Sequence, residues 1–571
     1  MNISEILKQK INDALAKIDL VDINFVLEHP ADLSHGDYAC NVAMVAANKA
    51  GTNPRELAEK IATEIRSVQH WVLDKVEVAG PGFINFTLSR NFFRQSVEDI
   101  LNAENFGSND TLSGRRVMIE YTDPNPFKQF HIGHLMTNAI GESLARIYEA
   151  NGATAIRANY QGDVGMHVAK AIYGIQQLGG MPEDTETLSV RTKFLGTAYV
   201  TGAKAYEEDE NAKDPIHVIN KAVYEENDTD INTTYTLGRA WSLEHFEELY
   251  AILGTKFKHY FFEGEVWQDG VTLVNEYLKK GIFEKSQGAI VYKGEQDGFH
   301  TRVFINQQGL PTYEAKDIGL IKQKLEREPN IDTSIIITGN EQTEYMKVVT
   351  AAAKHIWPEK SGTWQHVTHG MMTGPNGKKM SSRTGEVITG ESLLSEVQEV
   401  AREKITEAGK VVEVTDELVE KISVAAIKYM ILKQDSTKNI VFDLEQALSF
   451  EGDSGPYLQY TYARAQSVLA KGVTENLIPS FEKIPEENTD LERLMYRFPE
   501  VVELSLTDYA PHHITQYLIE LAREFNSFYG NTKLVDTENE FSPYRLAMTT
   551  AAGTIIKNGL GILGIQVAER M

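Results

Sequence analysis

The spacing of hydrophobic residues predicts a small α+β unit over about the first 90 residues. Apolar residues recur at helical intervals from Ile3 to Ile18, which predicts an amphipathic helix. Residues 76–79 alternate between apolar and polar, and residues 83–88 follow a Gly-Pro-Gly turn, so both stretches are expected to be strands. A helix from about Asn91 would connect this unit to the next one.

A strand–helix–strand pattern begins at Arg115. Residues 117–121 form a short apolar stretch, a helical stripe runs from about His131 to Ala150, and residues 153–160 have the composition of a second strand. A βαβ unit of this length implies a parallel sheet with a right-handed crossover. Ligands of such sheets bind at the carboxyl ends of the strands, so the turn at His131 is expected at the binding edge.

The pattern changes twice further along the chain. Acidic, helix-rich sequence interrupts the α/β alternation, hydrophobic residues 334–338 resume the sheet, and long amphipathic helical patterns dominate from about residue 390. We therefore predict an α/β protein: a Rossmann-like parallel sheet, an α+β N-terminal domain and an all-α C-terminal bundle. The expected domains are 1–90, 112–385 with an insertion at about 185–290, a helical connecting region at 386–450, and 451–571.

Composition narrows the class of protein. The 571 residues exceed what one core usually supports, and 42% of them are hydrophobic, so several folded domains are expected. No apolar run reaches the roughly 18 residues that span a bilayer, and the first residues lack the features of a secretion signal. We expect no membrane contact. The single cysteine, Cys40, excludes an internal disulfide and a four-cysteine zinc site, which favours the cytoplasm.

The net charge of -25 bears on possible partners. It is unfavourable for long-range attraction to phosphate, so any contact with RNA must depend on local basic patches. The acidic segments are interpreted as solvated surface.

A His-x-Gly-His turn carries the first candidate chemistry. His131 and His134 are three residues apart at a helix start, so both rings project from the first turn. A helix N-terminus offers free N–H groups and a partial positive charge, which suits phosphate. Gly133 leaves room for a nucleotide to approach. Two capping histidines would be the non-functional explanation, and a zinc site is disfavoured because no third ligand is close in sequence.

A lysine- and hydroxyl-rich segment at residues 378–384 carries the second candidate for chemistry. Lys379, Ser381 and Ser382 lie in it, and a lysine with hydroxyl groups can neutralise charge as pyrophosphate leaves. Alone, this segment would be explained as a solvated basic turn. Together, the two motifs predict a site that grips a nucleoside triphosphate from two sides.

In their order and separation, these motifs resemble the signatures of class I aminoacyl-tRNA synthetases, and the chain as a whole resembles the arginyl-tRNA synthetases. The stretches that carry the closer resemblance are residues 80–86, 120–126, 442–444, 455–460 and 569–571. The resemblance implies an arginine–tRNA ligase that forms arginyl-adenylate from L-arginine and ATP and transfers arginine to the 3′-terminal adenosine of tRNA(Arg). It also implies Mg²⁺ accompanying ATP, no zinc, and a monomer.

The resemblance assigns an arginine pocket to five residues. Asp317 would meet the guanidinium, with Tyr313 beside it. The other three, which would hold the guanidinium or the α-amino and carboxylate groups, are Glu120, Asn125 and Gln342. This assignment makes chemical sense because a guanidinium presents five donors in a rigid plane and is matched by carboxylates.

The resemblance also assigns residues to ATP and to tRNA. For ATP they are Lys128, His131, Gly133, His134, Lys379, Met380, Ser381 and Ser382, of which Lys128, His131, His134 and Lys379 would act catalytically on the triphosphate. Phe83 and Asn85 would contact the corner of the tRNA. The expected anticodon contacts are Tyr457, Tyr460, Arg464 and Met571, although at least one of these tyrosines is expected in the helical core.

The sequence differs from the family's usual motifs at two places. Ser382 stands where the second lysine of the Lys-Met-Ser-Lys-Ser motif is usual, and we infer that Lys128 supplies the missing charge from the opposite side. Residues 159–167 also differ from the usual sequence of the family, which leaves the role of His167 open.

Three alternatives remain. Another class I synthetase is disfavoured by the single cysteine and by the C-terminal wording. A small nucleotidyltransferase would lack the long helical C-terminal region. A synthetase-like protein that binds tRNA without catalysis is opposed, but not excluded, by the intact His131, His134 and Lys379.

Overall fold

An antiparallel sheet backed by helices forms the N-terminal unit of the computed structural model, which describes residues 3–68, 70–183, 185–375, 389–408 and 413–571. Its strands lie in the order β1-β2-β4-β3. The elements are α1 (Ile3–Ala16), β1 (Leu27–Glu28), β2 (Tyr38–Cys40), α2 (Val42–Ala50), α3 (Pro54–Arg66), β3 (Leu73–Ala79), β4 (Phe83–Leu88) and α4 (Arg90–Asn102). The predicted first helix and the two strands around the Gly-Pro-Gly turn are confirmed.

Five parallel strands form the central sheet, in the order β12-β11-β5-β6-β7. The elements of this region are β5 (Arg116–Glu120), α5 (Ile132–Ala150), β6 (Thr154–Gln161), α6 (Met166–Gln177), α7 (Leu188–Glu208), α8 (Glu210–Glu225), α9 (Thr229–Ile252), β7 (His259–Phe262), α10 (Glu263–Lys279), β8 (Glu284–Ser286), β9 (Ala289–Tyr292), β10 (Arg302–Ile305), α11 (Tyr313–Arg327), β11 (Thr333–Gly339), α12 (Thr343–Ile356), β12 (Trp364–His369) and β13 (Met372–Thr373). The chain runs from β5 outward to β7 and then returns to β11 on the other side. The topological switch point, where ligands of such sheets bind, therefore lies between β5 and β11.

Helices make up most of the C-terminal region. Its elements are α13 (Gly390–Ala408), α14 (Asp416–Leu432), β14 (Ile440–Val441), α15 (Leu444–Ala447), α16 (Gly455–Thr474), α17 (Asp490–Met495), α18 (Phe498–Thr507), α19 (His512–Asn531) and α20 (Ser542–Ile562). The predicted fold class, a parallel α/β sheet between an α+β and an all-α domain, is confirmed. The short β14 pairs with β13, so strand structure does not end at residue 390 as the sequence suggested. No helix of the described ranges is long and apolar enough to cross a membrane.

Within the predicted insertion at 185–290, one strand of the central sheet lies among elements that depart from the α/β alternation. The acidic helices α7 to α9 depart from it, but β7 lies inside this stretch and pairs with β6, with Ala158 opposite His259. Strands β8 to β10 then form a small antiparallel sheet. Strand β7 was not predicted from the sequence. It has only four residues and directly precedes a helix, so it shows no alternation of apolar and polar residues. We call α7–α9 the acidic insertion below; the domain boundaries themselves stay predictions.

Helix α5 is the central element of the fold. Fifteen of its nineteen residues are buried, because the sheet covers one side and helices α14, α18 and α20 pack on the other. A Cβ at Gly141 would lie 2.2 Å from Tyr121 Cγ, so only glycine permits this close approach to the end of β5. The buried Glu142 carboxylate accepts hydrogen bonds from Tyr121 Oη at 2.6 Å and from Arg146 Nε at 2.7 Å. The middle of α5 is thereby held against the end of β5.

Two ion pairs between a partly buried arginine and a buried carboxylate connect the N-terminal unit to the C-terminal helices. Arg493 Nη1 lies 2.8 Å from Asp37 Oδ1, and Arg90 Nη1 lies 2.7 Å from Glu492 Oε1. Asp37 Oδ2 also accepts a hydrogen bond from the backbone of Leu88, at the end of β4. The two terminal regions therefore keep a defined arrangement relative to each other.

Candidate active site

The loop that follows β5 has an unusual backbone. Three of its non-glycine residues are in the left-handed region, with φ of 79° at Thr122, 47° at Asp123 and 67° at Phe127. Such conformations cost about 1–3 kcal/mol each and persist where the surroundings fix them. Here Asn138 Nδ2 donates to Thr122 Oγ1 at 3.0 Å, and the backbone N–H of Tyr160 donates to Asp123 Oδ1 at 2.7 Å. Strain of this kind is typical of a ligand-binding loop.

A cavity of about 230 Å³ opens beside this loop, at the carboxyl ends of β5, β6 and β11. Four carboxylates line it, contributed by Glu120, Asp123, Glu263 and Asp317. The remaining wall is mostly aromatic, apolar or uncharged: Asn125, Tyr160, Gly162, Leu320, Ile321, Ile336, Thr338, Gln342, Tyr345, Met346, Val349, Thr350 and Trp364. The cavity thus lies at the switch point and combines an apolar wall with convergent acids.

Among the residues that the structure describes, two of the four carboxylates form an ion pair with a lysine. Lys324 Nζ lies 2.6 Å from Glu120 Oε2, and Lys316 Nζ lies 2.6 Å from Glu263 Oε2. Burial, together with the neighbouring Glu120, raises the pKa of Asp317 to about 7 despite a hydrogen bond from Tyr345. Burial raises the pKa of Asp123 well above its ordinary value, and Glu120 adds to this. An excess of acid in a confined cavity favours a cationic ligand.

Hydrogen bonds fix the orientation of uncharged residues in the cavity wall. Asn125 Oδ1 accepts a hydrogen bond from the backbone N–H of Gly162 at 3.1 Å, and a Cβ at Gly162 would lie 2.3 Å from that oxygen. The Tyr345 hydroxyl donates to Asp317 Oδ2. The buried hydroxyl of Tyr160 has no hydrogen-bond partner among the described residues. An unpaired polar group in a cavity wall is the expected partner of a ligand.

The structure brings four of the five predicted arginine-pocket residues together: Glu120, Asn125, Asp317 and Gln342 all line the cavity. Tyr313 is placed elsewhere, because its side chain is 65% exposed and it does not line the cavity. Tyr313 is the first residue of α11, so it projects outward beside Lys316, whose Nζ lies 5.3 Å from the ring centroid. Tyr345 contacts Asp317 instead.

Sequence reasoning assigned no role to several residues of the cavity. Asp123 lies three residues beyond the end of β5, and its position within residues 120–126 was the available signal. Glu263 follows β7, the strand that the sequence concealed. The contributions of Tyr160 and Tyr345 depend on the packing of distant segments, for which one sequence offers no signal. The roles of the cavity residues remain predictions.

The two histidines of the turn lie together at the start of α5. His131 precedes the first helical residue, and its backbone N–H donates to His134 Nδ1 at 3.2 Å. Their ring centroids are 3.5 Å apart. Burial lowers the pKa of His131, with Lys128 adding to the effect, and burial and His131 lower the pKa of His134. Both rings are therefore expected to be neutral donors near pH 7.

The segment that carries the second motif lies outside the described residues, and so do Lys379, Met380, Ser381 and Ser382. The first described residue after it, Thr389, forms an antiparallel bridge with His131. The backbone N–H of Gly390 donates to the carbonyl of Phe130 at 2.8 Å. The chain that leaves the second motif therefore runs directly against the His-x-Gly-His turn.

Lys128 lies between the histidines and the acidic insertion. Its Nζ is 5.3 Å from the ring centroid of Tyr199 on α7. Burial lowers the pKa of Lys128, with Glu263 opposing this effect. Lys128 also lines a second cavity of about 240 Å³ between the insertion and the start of α13. Other residues of this second cavity are Gln129, Ser189, Thr192, Lys193, His245, Thr389, Glu391 and Ser392.

The structure gives His167, whose role the sequence left open, a contact with the backbone. Its Nε2 is 2.8 Å from the carbonyl oxygen of Gly162, and burial lowers the pKa of His167 to about 3. The ring is therefore neutral and donates to this carbonyl. His167 holds the backbone of Gly162 at the wall of the acidic cavity.

The predicted tRNA contacts lie on two separate parts of the molecule. Phe83 and Asn85 share the half-exposed face of β4, opposite the buried face. Met571, Tyr460 and Arg464 line a cavity of about 660 Å³ in the C-terminal bundle. The other basic residues of this C-terminal cavity are Lys471, Lys533 and Arg570.

Tyr457 is placed apart from this C-terminal cavity. It packs against the main hydrophobic core, and its hydroxyl accepts a hydrogen bond from Asn526 Nδ2 at 2.9 Å. Arg464, by contrast, lies between two aromatic rings, 4.8 Å from the centroid of Tyr460 and 5.0 Å from that of Tyr529. The C-terminal cavity therefore combines positive charge with accessible aromatic faces, as single-stranded RNA requires.

Three family models together cover most of the chain. The model for tRNA synthetases class I (R), catalytic domain, matches residues 96–444. The arginyl tRNA synthetase N terminal domain matches residues 4–88, and the DALR anticodon binding domain matches residues 458–571.

Curated relatives and solved structures agree with these matches. The arginine–tRNA ligase of Lactobacillus delbrueckii subsp. bulgaricus is 30% identical over 581 residues, covering 100% of both chains. That of Bacteroides thetaiotaomicron is 30% identical over 518 residues, covering 86% of each. The fold is similar to arginyl-tRNA synthetase structures from Thermus thermophilus (TM-score 0.81, 22% identity, covering 99% of this chain and 100% of that one) and Plasmodium falciparum (TM-score 0.79, 23% identity, covering 100% and 99%).

Proposed function

The chain belongs to the family of class I arginyl-tRNA synthetases, and from this premise we propose how it performs the arginine–tRNA ligase reaction. L-arginine and ATP form arginyl-adenylate, and the arginyl group then passes to the 3′-terminal adenosine of tRNA(Arg). The observation that carries the proposal is the acidic cavity at the switch point, next to the helix start that presents His131 and His134.

The cavity would select the arginine side chain by charge and shape. Asp317 and Glu263 would receive the guanidinium, whose planar fork can donate two parallel hydrogen bonds to a carboxylate. The Tyr160 hydroxyl oxygen would accept a further hydrogen bond from the guanidinium. Asn125 and Gln342, at the mouth of the cavity, would hold the α-amino and carboxylate groups. Glu120 would act through its field, because its carboxylate is paired with Lys324.

The start of α5 would bind the triphosphate. Neutral His131 and His134 would donate hydrogen bonds to phosphate oxygens, and Lys128 would supply positive charge. A Cβ at Gly133 would lie 2.9 Å from His131 Cε1, so glycine is needed here to keep this arrangement. Lys379, Met380, Ser381 and Ser382 would close on the triphosphate from the other side. Mg²⁺ would accompany ATP and neutralise phosphate charge.

The chemistry would proceed without a protein nucleophile. A carboxylate oxygen of arginine attacks the α-phosphorus of ATP in line, the new O–P bond forms, and the bond to pyrophosphate breaks. A hydroxyl of the terminal tRNA ribose, the 2′-OH by class resemblance, then attacks the arginyl carbonyl, and AMP leaves. Positioning and charge stabilisation would supply the rate enhancement.

The two predicted tRNA contacts would bind different parts of one molecule. The face of β4 with Phe83 and Asn85 would meet the tRNA corner. The C-terminal cavity would hold anticodon bases, with Tyr460 and Arg464 stacking on them and the lysines contacting phosphate. A net charge of -25 makes such local basic patches necessary.

We also propose a monomer in the cytoplasm. Burial raises the pKa of the single thiol, Cys40, to about 12, so this thiol stays protonated and is a poor nucleophile. Light scattering of the purified protein, with and without tRNA, would measure its mass; a dimer mass would contradict the proposed state.

Aminoacylation of bulk tRNA with each standard amino acid in turn tests the proposed function. Charging with arginine alone is expected. Charging with a different amino acid would refute the assignment, and tRNA binding without charging would favour a non-catalytic tRNA-binding protein.

The tRNA dependence of the first step is a separate hypothesis, because members of this family usually need bound tRNA to activate arginine. ATP–pyrophosphate exchange with arginine should therefore depend on tRNA. Equal exchange rates with and without tRNA would reject this hypothesis.

A further inference from the structure

Glu263 is held from behind the arginine cavity by a buried lysine. Lys316 Nζ contacts Glu263 Oε2 at 2.6 Å, and both side chains are buried. The other oxygen, Oε1, is on the cavity side, because a Cβ at Gly162 would lie 3.2 Å from it. Burial raises the pKa of Glu263, and Lys316 opposes this. One oxygen is therefore fixed by the protein, while the other remains for a ligand.

The acidic insertion reaches this ion pair through α8. The ring centroid of Tyr224, near the end of α8, lies 6.0 Å from Lys316 Nζ, and the Tyr224 hydroxyl interacts with the same ammonium group. The Tyr224 ring also packs edge-on against Trp267, at 5.6 Å between centroids. Trp267 lies one turn beyond Glu263 on α10. Tyr224 thus contacts both the lysine that holds Glu263 and the helix that carries it.

Helix α9 provides a second attachment to the same place. Arg239 Nε lies 2.8 Å from the buried Asp163 Oδ2, and the Tyr235 hydroxyl donates to that oxygen at 3.3 Å. Asp163 Oδ1 in turn accepts a hydrogen bond from the backbone N–H of Gly264 at 2.9 Å. Both attachments therefore end within two successive residues of α10, Glu263 and Gly264.

We propose that the acidic insertion positions the Glu263 carboxylate for the guanidinium of arginine, with Lys316 and Asp163 as the positioning residues. This inference rests on the proposed function of the cavity. Neither residue lines the cavity, so neither is assigned a contact with the substrate. Without Lys316, Glu263 would lose the partner that fixes its rotamer and favours its ionised form. The proposal therefore assigns the acidic insertion a role in the recognition of arginine.

Two lysines of α11 allow a matched test in the full-length protein. Lys316 and Lys322 both form an ion pair with α10, since Lys322 Nζ lies 2.6 Å from Asp269 Oδ1, but only the first pair reaches the cavity. Lys316→Met should raise the KM for arginine roughly tenfold or more, with the KM for ATP changed less than about twofold. Lys322→Met should leave both KM values unchanged, and Lys316→Arg should restore most of the arginine affinity.

Two further variants, each changing a residue of the acidic insertion, test its role in positioning Glu263. Arg239→Met removes the ion pair of the α9 attachment, and Tyr224→Phe removes a single hydroxyl, a change that is small enough to preserve folding. Both should raise the KM for arginine selectively. Lys221→Met is the control on α8, because Lys221 is exposed and its Nζ is 3.7 Å from Glu225, away from the cavity. Thermal unfolding checks that each variant is folded.

The outcomes separate this inference from the proposed function. If the wild-type protein charges arginine but the Lys316 and Arg239 variants keep its arginine KM, the positioning role is wrong and the function stands. A parallel rise in both KM values, or a lower kcat with an unchanged arginine KM, would also overturn it, because the residues would then be merely structural. A wild-type protein that does not charge arginine refutes the proposed function itself.

Discussion

The affinity for arginine should weaken as the pH falls through 7, and Asp317 should be the cause. Burial, with the neighbouring Glu120, raises the pKa of Asp317 to about 7 in the free protein. The guanidinium binds the ionised carboxylate, so protonation must be reversed before binding. The dissociation constant is therefore expected to increase as the pH drops below this pKa, and to level off above it.

The size of the effect follows from the fraction of carboxylate that is ionised. With a pKa of about 7, about a tenth of Asp317 is ionised near pH 6 and about nine tenths near pH 8, so the dissociation constant should change about tenfold across this range. Asp317→Asn removes a charge-assisted partner, which contributes about 1.5–3 kcal/mol per hydrogen bond. At about pH 8 the variant should bind arginine roughly 10- to 150-fold more weakly, with a flat pH profile over this range.

Isothermal titration calorimetry of arginine binding, without ATP, measures both quantities. Asp269→Asn is the control, since this carboxylate pairs with Lys322 outside the cavity. The reasoning is refuted if the wild-type affinity does not depend on pH in this range, or if Asp317→Asn keeps the wild-type slope. In the second case another group, such as Asp123 or Glu263, would carry the titration.

Three further substitutions probe separate parts of the account. Lys128→Ala should slow adenylate formation in single-turnover assays by about tenfold or more while the arginine dissociation constant stays unchanged; unchanged turnover would remove Lys128 from the triphosphate site. Tyr160→Phe should weaken arginine binding by about 0.5–1.5 kcal/mol without lowering the melting temperature, because its hydroxyl has no partner among the described residues; a loss of stability with normal binding would contradict this. Arg464→Ala should raise the KM for tRNA about tenfold and leave the KM for arginine unchanged, because Arg464 stacks between Tyr460 and Tyr529 in the C-terminal cavity; an unaffected tRNA KM would place anticodon binding elsewhere.

The elements that could be predicted from the sequence are those with a long or unambiguous hydrophobic pattern. Strand β5 and helix α5 were predicted to within about two residues, because α5 shows a sustained apolar stripe and the loop between them carries two prolines. The placement of the His131 turn at the binding edge followed from the βαβ order. Strand β7 was concealed because four residues between two helices provide no periodicity. That omission also concealed Glu263, which directly follows it.

The family resemblance supplied four residues of the cavity, but it did not supply those that arrive by packing. Asn125 and Gln342 lie just beyond β5 and β11, and both line the cavity. The resemblance placed Tyr313 beside Asp317, but Tyr313 is the first residue of α11 and is 65% exposed. Tyr345 takes that place from the neighbouring α12, through a contact between helices that no local pattern encodes.

The comparison of arginine with citrulline tests the central claim most directly. Citrulline has nearly the same shape, but a neutral urea replaces the guanidinium, so it offers no charge to the carboxylates of the cavity. The ratio of kcat/KM for charging the same tRNA should favour arginine by about ten-thousand-fold, as for other sites whose buried polar groups are left unpaired by an analogue. Comparable charging of the two amino acids would contradict the claim that the acidic cavity selects a flat cation.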